Sequence, residues 1–146
     1  MSRILFLCTG NYYRSRFAEE YFNHVAARDG VRWRADSKAL VRDVATTGNR
    51  GPISPHALTE LEQRGIAQRN AARWPARVEH ADFLRYPRII AVSRREHEPM
   101  MREHFPDHAD LVDYLEIGDI DLETPRQAIA RLAADVERLI ADLRGG

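Results

Sequence analysis

Short apolar runs alternate with amphipathic segments along the whole chain, and this alternation restricts the fold more than any other feature. Buried-strand patterns cover residues 3–8, 33–40, 88–92 and 111–115, and helical stripes begin at Ser15, Pro55, Arg94 and Pro125. Strands separated by helices usually run parallel, in a sheet that helices cover on both faces. The sequence therefore predicts an α/β fold with three αβα layers and a four-stranded, parallel, doubly wound sheet.

The ends of the predicted helices carry capping residues. The first apolar stripe stops at Asp29-Gly30, and Ser54 precedes a proline that opens the second helix. Thr124 is placed to cap the last helix, with Gln127 completing a capping box before a stripe that stops at Gly145.

Length and charge exclude several classes of protein. The chain has 146 residues, so we expect a single domain spanning residues 1–146. Its 22 basic and 22 acidic residues balance, so the chain has no net charge that would attract nucleic acid. No apolar stretch is long enough for a signal peptide or a membrane span, and the one cysteine suits a reducing compartment. We expect a cytoplasmic protein with no nucleic-acid or membrane partner, and the oligomeric state stays open.

The single cysteine stands where the first strand ends and a turn begins. In parallel sheets, ligands bind beyond the carboxyl ends of the strands. The amides of the following loop and of the first helix turn can converge on one tetrahedral oxyanion, and Arg14 can donate two parallel hydrogen bonds to it. The same electropositive environment favours a thiolate at Cys8, to which Ser15 can donate its hydroxyl. The predicted phosphate-binding loop consists of Thr9, Gly10, Asn11, Tyr12, Tyr13, Arg14 and Ser15.

Other residues have simpler explanations. A lone cysteine is often only a small buried apolar residue, but the spacing of the loop favours a nucleophile at Cys8. His97, His104 and His108 lack the pattern of a metal site, so we expect solvated histidines, no metal and no cofactor. Trp74 is expected to be a packing residue, with a place near the rim of the site as the alternative.

The segment C-T-G-N-Y-Y-R-S at residues 8–15 resembles the C-x-x-x-x-x-R-S signature of the low-molecular-weight protein tyrosine phosphatases. As in that family, it follows an apolar strand within the first twenty residues of a chain of about this length. Ala72-Arg73 and the segments around Ser37 and Pro55 are similar to further family motifs, so the resemblance covers most of the chain.

The resemblance implies a two-step phosphoryl transfer without metal or cofactor. Cys8 would attack phosphorus, Arg14 and the loop amides would stabilise the equatorial charge, and an aspartic acid would protonate the leaving oxygen. The implied substrate is a phosphotyrosine protein or a small aryl phosphate. By its place after the fourth strand Asp119 is the better match to the acid, with Asp121 second.

Four departures from the family pattern limit this comparison. Tyr13 stands where many members carry a second cysteine, and Tyr12 either flanks a substrate ring or packs at the rim. Arg16 replaces a common proline. We expect it to be a solvated residue of the first helix turn, with an added positive charge at the mouth of the site as the alternative. The usual Asp-Pro of the acid loop is replaced by Gly118-Asp119-Ile120-Asp121.

Three functions therefore remain open. The first is a cysteine-dependent phosphatase for phosphotyrosine or aryl phosphates. The second is an arsenate reductase that uses an external small thiol, since the chain lacks the further cysteines of an internal relay. The third is a non-catalytic module that binds phosphate or phosphopeptides.

Overall fold

A four-stranded sheet forms the centre of the computed structural model, which describes residues 2–118 and 124–145. The strands are β1 (Ser2–Cys8), β2 (Trp33–Ala39), β3 (Arg88–Ala91) and β4 (Asp113–Tyr114). They lie in the order β2-β1-β3-β4, and each neighbouring pair is parallel. β4 is shorter than predicted, because a 3-10 helix at Pro106–Leu111 takes up the start of the apolar run.

In the described part of the chain, five α-helices surround the sheet: α1 (Arg14–Asp29), α2 (Pro55–Gln63), α3 (His80–Arg85), α4 (Arg94–His104) and α5 (Pro125–Gly145). A second short 3-10 helix lies at Val44–Thr47. Helix α3 was not predicted, because six residues are too few to display a helical stripe. None of the helices in the described ranges is both long enough and apolar enough to cross a membrane.

The predicted caps form as hydrogen bonds. The Ser54 hydroxyl accepts from the His56 amide at 3.1 Å at the start of α2. At the start of α5, the Thr124 hydroxyl accepts from the Gln127 amide at 3.2 Å, and the Gln127 side chain accepts from the Thr124 amide at 3.3 Å. Gly30 ends α1 in the left-handed conformation, with φ of 71°. These local signals therefore define where three of the helices begin or end.

Alternate residues of β1 point into two different cores. Ile4, Phe6 and Cys8 belong to the core that α1, α2 and α5 cover. Leu5 and Leu7 belong to the core on the opposite face, which α3 and α4 cover. Helices thus lie on both faces of a parallel sheet, and the predicted three-layer α/β fold is confirmed.

The order of the strands brings the end of β1 to the middle of the sheet. The chain passes from β1 to β2 on one side and returns to β3 on the other, so the direction of winding switches at β1. A crevice forms at such a switch point, beyond the carboxyl ends of the two diverging strands. Cys8 is the last residue of β1 and therefore lies at the base of this crevice.

Candidate active site

The loop of residues 8–15 connects β1 to α1 beneath this crevice. Asn11 has φ of 51°, a left-handed conformation that asparagine adopts more readily than most residues. A β-carbon on Gly10 would lie 3.1 Å from the Asn49 side chain, so glycine allows the neighbouring loop to approach. No acidic residue stands in the first turn of α1, and its amides face the loop from an electropositive helix end.

A chain of hydrogen bonds leads to the sulfur of Cys8. The Asn11 side-chain amide donates to the Ser15 hydroxyl at 2.9 Å and to the Ser37 hydroxyl at 2.8 Å. The Ser37 hydroxyl in turn donates to Glu19 Oε1 at 2.6 Å. The Cys8 thiol donates to the same Ser15 oxygen at 3.0 Å. Once the thiol is ionised it can no longer donate, and the Ser15 hydroxyl can then donate its own proton to the thiolate.

The guanidinium of Arg14 is buried and held from one side. Its two terminal nitrogens donate to the two carboxylate oxygens of Glu96 at 2.8 and 2.9 Å, and Nη1 also donates to the Ile117 carbonyl at 2.9 Å. Arg14 is only 2% exposed. These contacts fix the plane of the guanidinium next to the phosphate-binding loop, as a two-point oxyanion clamp requires.

His97 supports the other end of the loop from the first turn of α4. Its Nδ1 accepts from the Ser93 amide at 3.1 Å, so the ring proton of the neutral form lies on Nε2. Nε2 donates to the Thr9 hydroxyl at 3.0 Å. Burial, together with the charge of Arg14, lowers the pKa of His97 to about 3. His97 is therefore neutral at physiological pH and acts as a fixed donor.

An open cavity of about 710 Å³ lies above the sulfur. Its described lining comprises Cys8, Thr9, Gly10, Tyr12, Tyr13, Arg14, Val41, Thr46, Thr47, Asn49, Ser54, Pro55 and His56. This part of the lining includes three aromatic or imidazole rings and no carboxylate. It can accept an anionic group at the base and a flat ring at the mouth.

The two tyrosines of the loop stand in the walls of this cavity. The Tyr12 hydroxyl donates to the Arg50 carbonyl at 2.6 Å, and the Tyr12 carbonyl accepts from the Ser54 amide at 2.9 Å. Tyr13 is buried, and its hydroxyl donates to the Pro125 carbonyl at 3.2 Å. Tyr12 is thus a fixed rim residue, and Tyr13 links the loop to the start of α5.

The structure brings together all the predicted site residues from Cys8 to Ser15. The predicted acids Asp119 and Asp121 lie outside the described residues. Among the described residues of this segment, Ile117 lies at the site, because its carbonyl accepts from Arg14 Nη1. Within the described ranges, no group of three or more His, Cys, Asp or Glu side chains is arranged to hold a metal ion.

Three expectations about individual side chains are wrong. Arg16 is 1% exposed instead of solvated, because its guanidinium turns inward to two loop carbonyls. His97 is fully buried, because Thr9 and the Ser93 amide satisfy both ring nitrogens. Trp74 is 63% exposed and is not a packing residue.

The family model of the low molecular weight phosphotyrosine protein phosphatases matches residues 3–141. The chain belongs to this family. The resemblance of the sequence is therefore confirmed, and so is the class of enzyme, since the family consists of cysteine-dependent phosphatases.

Several solved structures have the same fold. YfkJ from Bacillus subtilis superimposes with a TM-score of 0.84 at 19% identity, over 99% of this chain and 96% of that chain. The low molecular weight protein tyrosine phosphatase from T. tengcongensis has a TM-score of 0.80 at 23% identity, over 97% and 99%. The YwlE arginine phosphatase from Geobacillus stearothermophilus has a TM-score of 0.76 at 23% identity, over 99% and 94%. The comparison with curated proteins finds no match.

Several residues that shape this phosphatase site were not predicted. Glu19 holds Ser37 from α1, and Glu96 and His97 hold the loop from α4. Their sequence signal is weak, since each partner lies 18 to 88 positions away. A signal that could have identified Glu96 is the spacing Ser93-x-x-Glu96 after the third strand, which is typical of a capped helix start.

The buried His97 predicts a stability that depends on pH. The folded state lowers the pKa of His97 from 6.5 to about 3, so the unfolded chain binds its proton first as the pH falls. The stability is complete above pH 6.5 and is lost progressively as the pH falls towards 3. Between pH 7 and 5, the free energy of unfolding should fall by about 2 kcal/mol more in the parent protein than in His97→Gln.

Urea unfolding followed by circular dichroism at both pH values measures this difference. His24→Gln is the matched control, because His24 is exposed on α1. The control should keep the pH dependence of the parent protein. An equal loss of stability in His97→Gln and the parent protein would contradict the assignment.

Proposed function

We propose that this protein hydrolyses aryl phosphate monoesters, and phosphotyrosine in proteins in particular, through a phosphocysteine intermediate. One observation carries the proposal: the sulfur of Cys8 lies at the base of an open cavity, with the Ser15 hydroxyl at 3.0 Å and the buried Arg14 in the same loop. A nucleophile, a hydrogen-bond donor to it and a fixed cation are what phosphoryl transfer to sulfur needs. The single cysteine suits a reducing compartment, and we place the reaction in the cytoplasm.

In the first step, the Cys8 thiolate attacks phosphorus as the bond from phosphorus to the ester oxygen breaks. The equatorial oxygens receive hydrogen bonds from the loop amides and from Arg14, whose plane Glu96 fixes. The leaving oxygen takes a proton from a carboxylic acid, which we assign to Asp119. The products of this step are an alcohol and a phosphocysteine.

In the second step, water attacks the phosphocysteine while the same carboxylate accepts its proton. The bond from sulfur to phosphorus breaks, inorganic phosphate leaves and the thiolate returns. The Ser15 hydroxyl stabilises this leaving thiolate, because it can donate its own proton to the ionised sulfur. The phosphoryl group thus passes from the ester to water with no redox change.

The lining of the cavity supports an aryl ester. The rings of Tyr12, Tyr13 and His56 offer flat surfaces to an aromatic leaving group.

A panel of substrates tests this proposal against its alternatives. Hydrolysis of a phosphotyrosine peptide and of p-nitrophenyl phosphate without added thiol is the expected result. Preference for a phosphoarginine peptide would overturn the assignment of substrate. Arsenate reduction that requires an external thiol, without ester hydrolysis, would favour a reductase. Phosphate binding without any turnover would favour a binding module.

Replacing the nucleophile should abolish turnover but preserve binding. In Cys8→Ser the loop amides and Arg14 remain, whereas a serine hydroxyl is not ionised at neutral pH. We expect no measurable hydrolysis of p-nitrophenyl phosphate and retained binding of phosphate or vanadate by isothermal calorimetry. Turnover in this variant would contradict the role of Cys8.

Replacing the clamp should reduce activity even though the charge is kept. Lysine in Arg14→Lys cannot donate two parallel hydrogen bonds to the anion, nor span both oxygens of Glu96. We expect kcat/KM for p-nitrophenyl phosphate to fall by roughly 10²-fold or more. Arg102→Lys is the matched control, because Arg102 pairs with Glu98 on the exposed side of α4. Near-normal kinetics of Arg14→Lys would count against a clamp.

The general acid is tested by the dependence on the leaving group. Phenol, with a pKa of about 10, needs a proton on departure far more than p-nitrophenol does. Asp119→Ala should therefore lose roughly 10²-fold or more on phenyl phosphate and much less on p-nitrophenyl phosphate. Asp121→Ala serves as the comparison and should change both rates little and equally. The reverse pattern would move the role to Asp121.

A further inference from the structure

Arg16 is a buried cation behind the phosphate-binding loop. It follows Ser15 in the first turn of α1 and is 1% exposed. Its Nη1 donates to the Pro52 carbonyl and its Nη2 donates to the Asn70 carbonyl, both at 2.7 Å. One side chain therefore ties two separate loops to the helix that begins at the active site.

Both of these loops are hydrogen-bonded to residues of the phosphate-binding loop below the cavity. Pro52 lies between Arg50, whose carbonyl accepts from Tyr12, and Ser54, whose amide donates to Tyr12. Asn70 belongs to the segment that brings Arg73 to the Asn11 side chain, at 3.4 Å. The carbonyls that Arg16 holds thus fix one wall of the cavity and the support of the loop.

No carboxylate of the described residues forms an ion pair with the Arg16 guanidinium, and Glu19 and Glu20 act on it only through space. Burial, with the Arg73 charge next in size, lowers the pKa of Arg16 to about 10, so the side chain stays charged at neutral pH. The charges of Glu19 and Glu20 act in the opposite direction on this pKa.

A buried cation is costly unless nearby anions offset its desolvation, and Glu19 and Glu20 on α1 are such anions. The two carbonyl contacts of Arg16 hold the loops of Pro52 and Asn70 to the helix that begins at the active site. We propose that Arg16 is a positioning residue of the Cys8 site, which fixes the cavity wall through Pro52 and Asn70. The proposal rests on the phosphatase function given above, and ligand binding to an inactive variant tests it separately.

One substitution separates the geometry from the charge. Lysine in Arg16→Lys keeps a cation but cannot reach both carbonyls. The cavity wall should therefore lose one of its two contacts to Arg16 while the charge of the site stays the same.

Steady-state kinetics test whether Arg16 holds the cavity wall in place. Phenyl phosphate touches both the loop and the wall, whereas inorganic phosphate, used as a competitive inhibitor, touches the loop alone. In Arg16→Lys, the KM of phenyl phosphate should rise roughly tenfold, since one hydrogen bond of a charged group is lost, while the inhibition constant of phosphate changes little. Arg64→Met is the matched control, because Arg64 lies over the Phe17 ring and pairs with Glu60 away from the cavity.

The outcomes are distinguishable. An unchanged KM in a folded Arg16→Lys would overturn the role of Arg16 at the wall. If Arg16→Lys does not fold, Arg16→Gln keeps a donor but cannot reach both carbonyls, and the same rise in KM is expected. If the parent protein hydrolyses no aryl phosphate, the phosphatase proposal fails, whereas calorimetric binding of phenyl phosphate and of inorganic phosphate to Arg16→Lys in the Cys8→Ser background still tests Arg16.

Discussion

The side chain of Asn11 is the contact on which the geometry of the phosphate-binding loop depends. Its backbone takes φ of 51°, where most residues with a β-carbon lose about 1–2 kcal/mol. Glycine would remove that cost but has no amide. Asparagine both adopts the turn and uses each end of its side chain, because Nδ2 donates to Ser15 and Ser37 while Oδ1 accepts from the Ala76 amide. Asn11 therefore forms the turn, holds the hydroxyl that contacts the nucleophile, and links the loop to Ser37 on β2.

Polar groups from two helices hold the loop from opposite sides. On the side of α1, Glu19 orients Ser37 and also accepts from Arg73 at 2.7 Å. On the side of α4, Glu96 fixes Arg14 and His97 fixes Thr9. Buried polar networks of this kind are costly when incomplete and rigid when every member is satisfied. The site is thus assembled before any substrate binds, and its donors need little rearrangement during the reaction.

The sequence predicted those features of the fold and site that depend on neighbours along the chain. Helix starts at Ser54 and Thr124, the glycine stop at Gly30 and the loop after Cys8 all follow from local rules of capping and turns. Features that depend on distant partners were missed. The burial of Arg16 is one such feature, because its partners at Pro52 and Asn70 are backbone carbonyls. Every residue has a backbone carbonyl, so the sequence does not show which ones will bind an arginine.

The same distinction explains why the net charge of the chain does not predict the charge at this site. The basic and acidic residues of the chain cancel, yet the described lining of the cavity contains Arg14 and no carboxylate. Among the described residues, the acidic partners come from two helices: Glu96 of α4 binds the Arg14 guanidinium, and Glu19 and Glu20 lie along α1 near Arg16. Carboxylates in these places reduce the cost of burying the arginines. Because most of these charges are buried, salt screens their field much less than that of surface charges. The charge at the site therefore depends on which residues the fold brings together and not on composition.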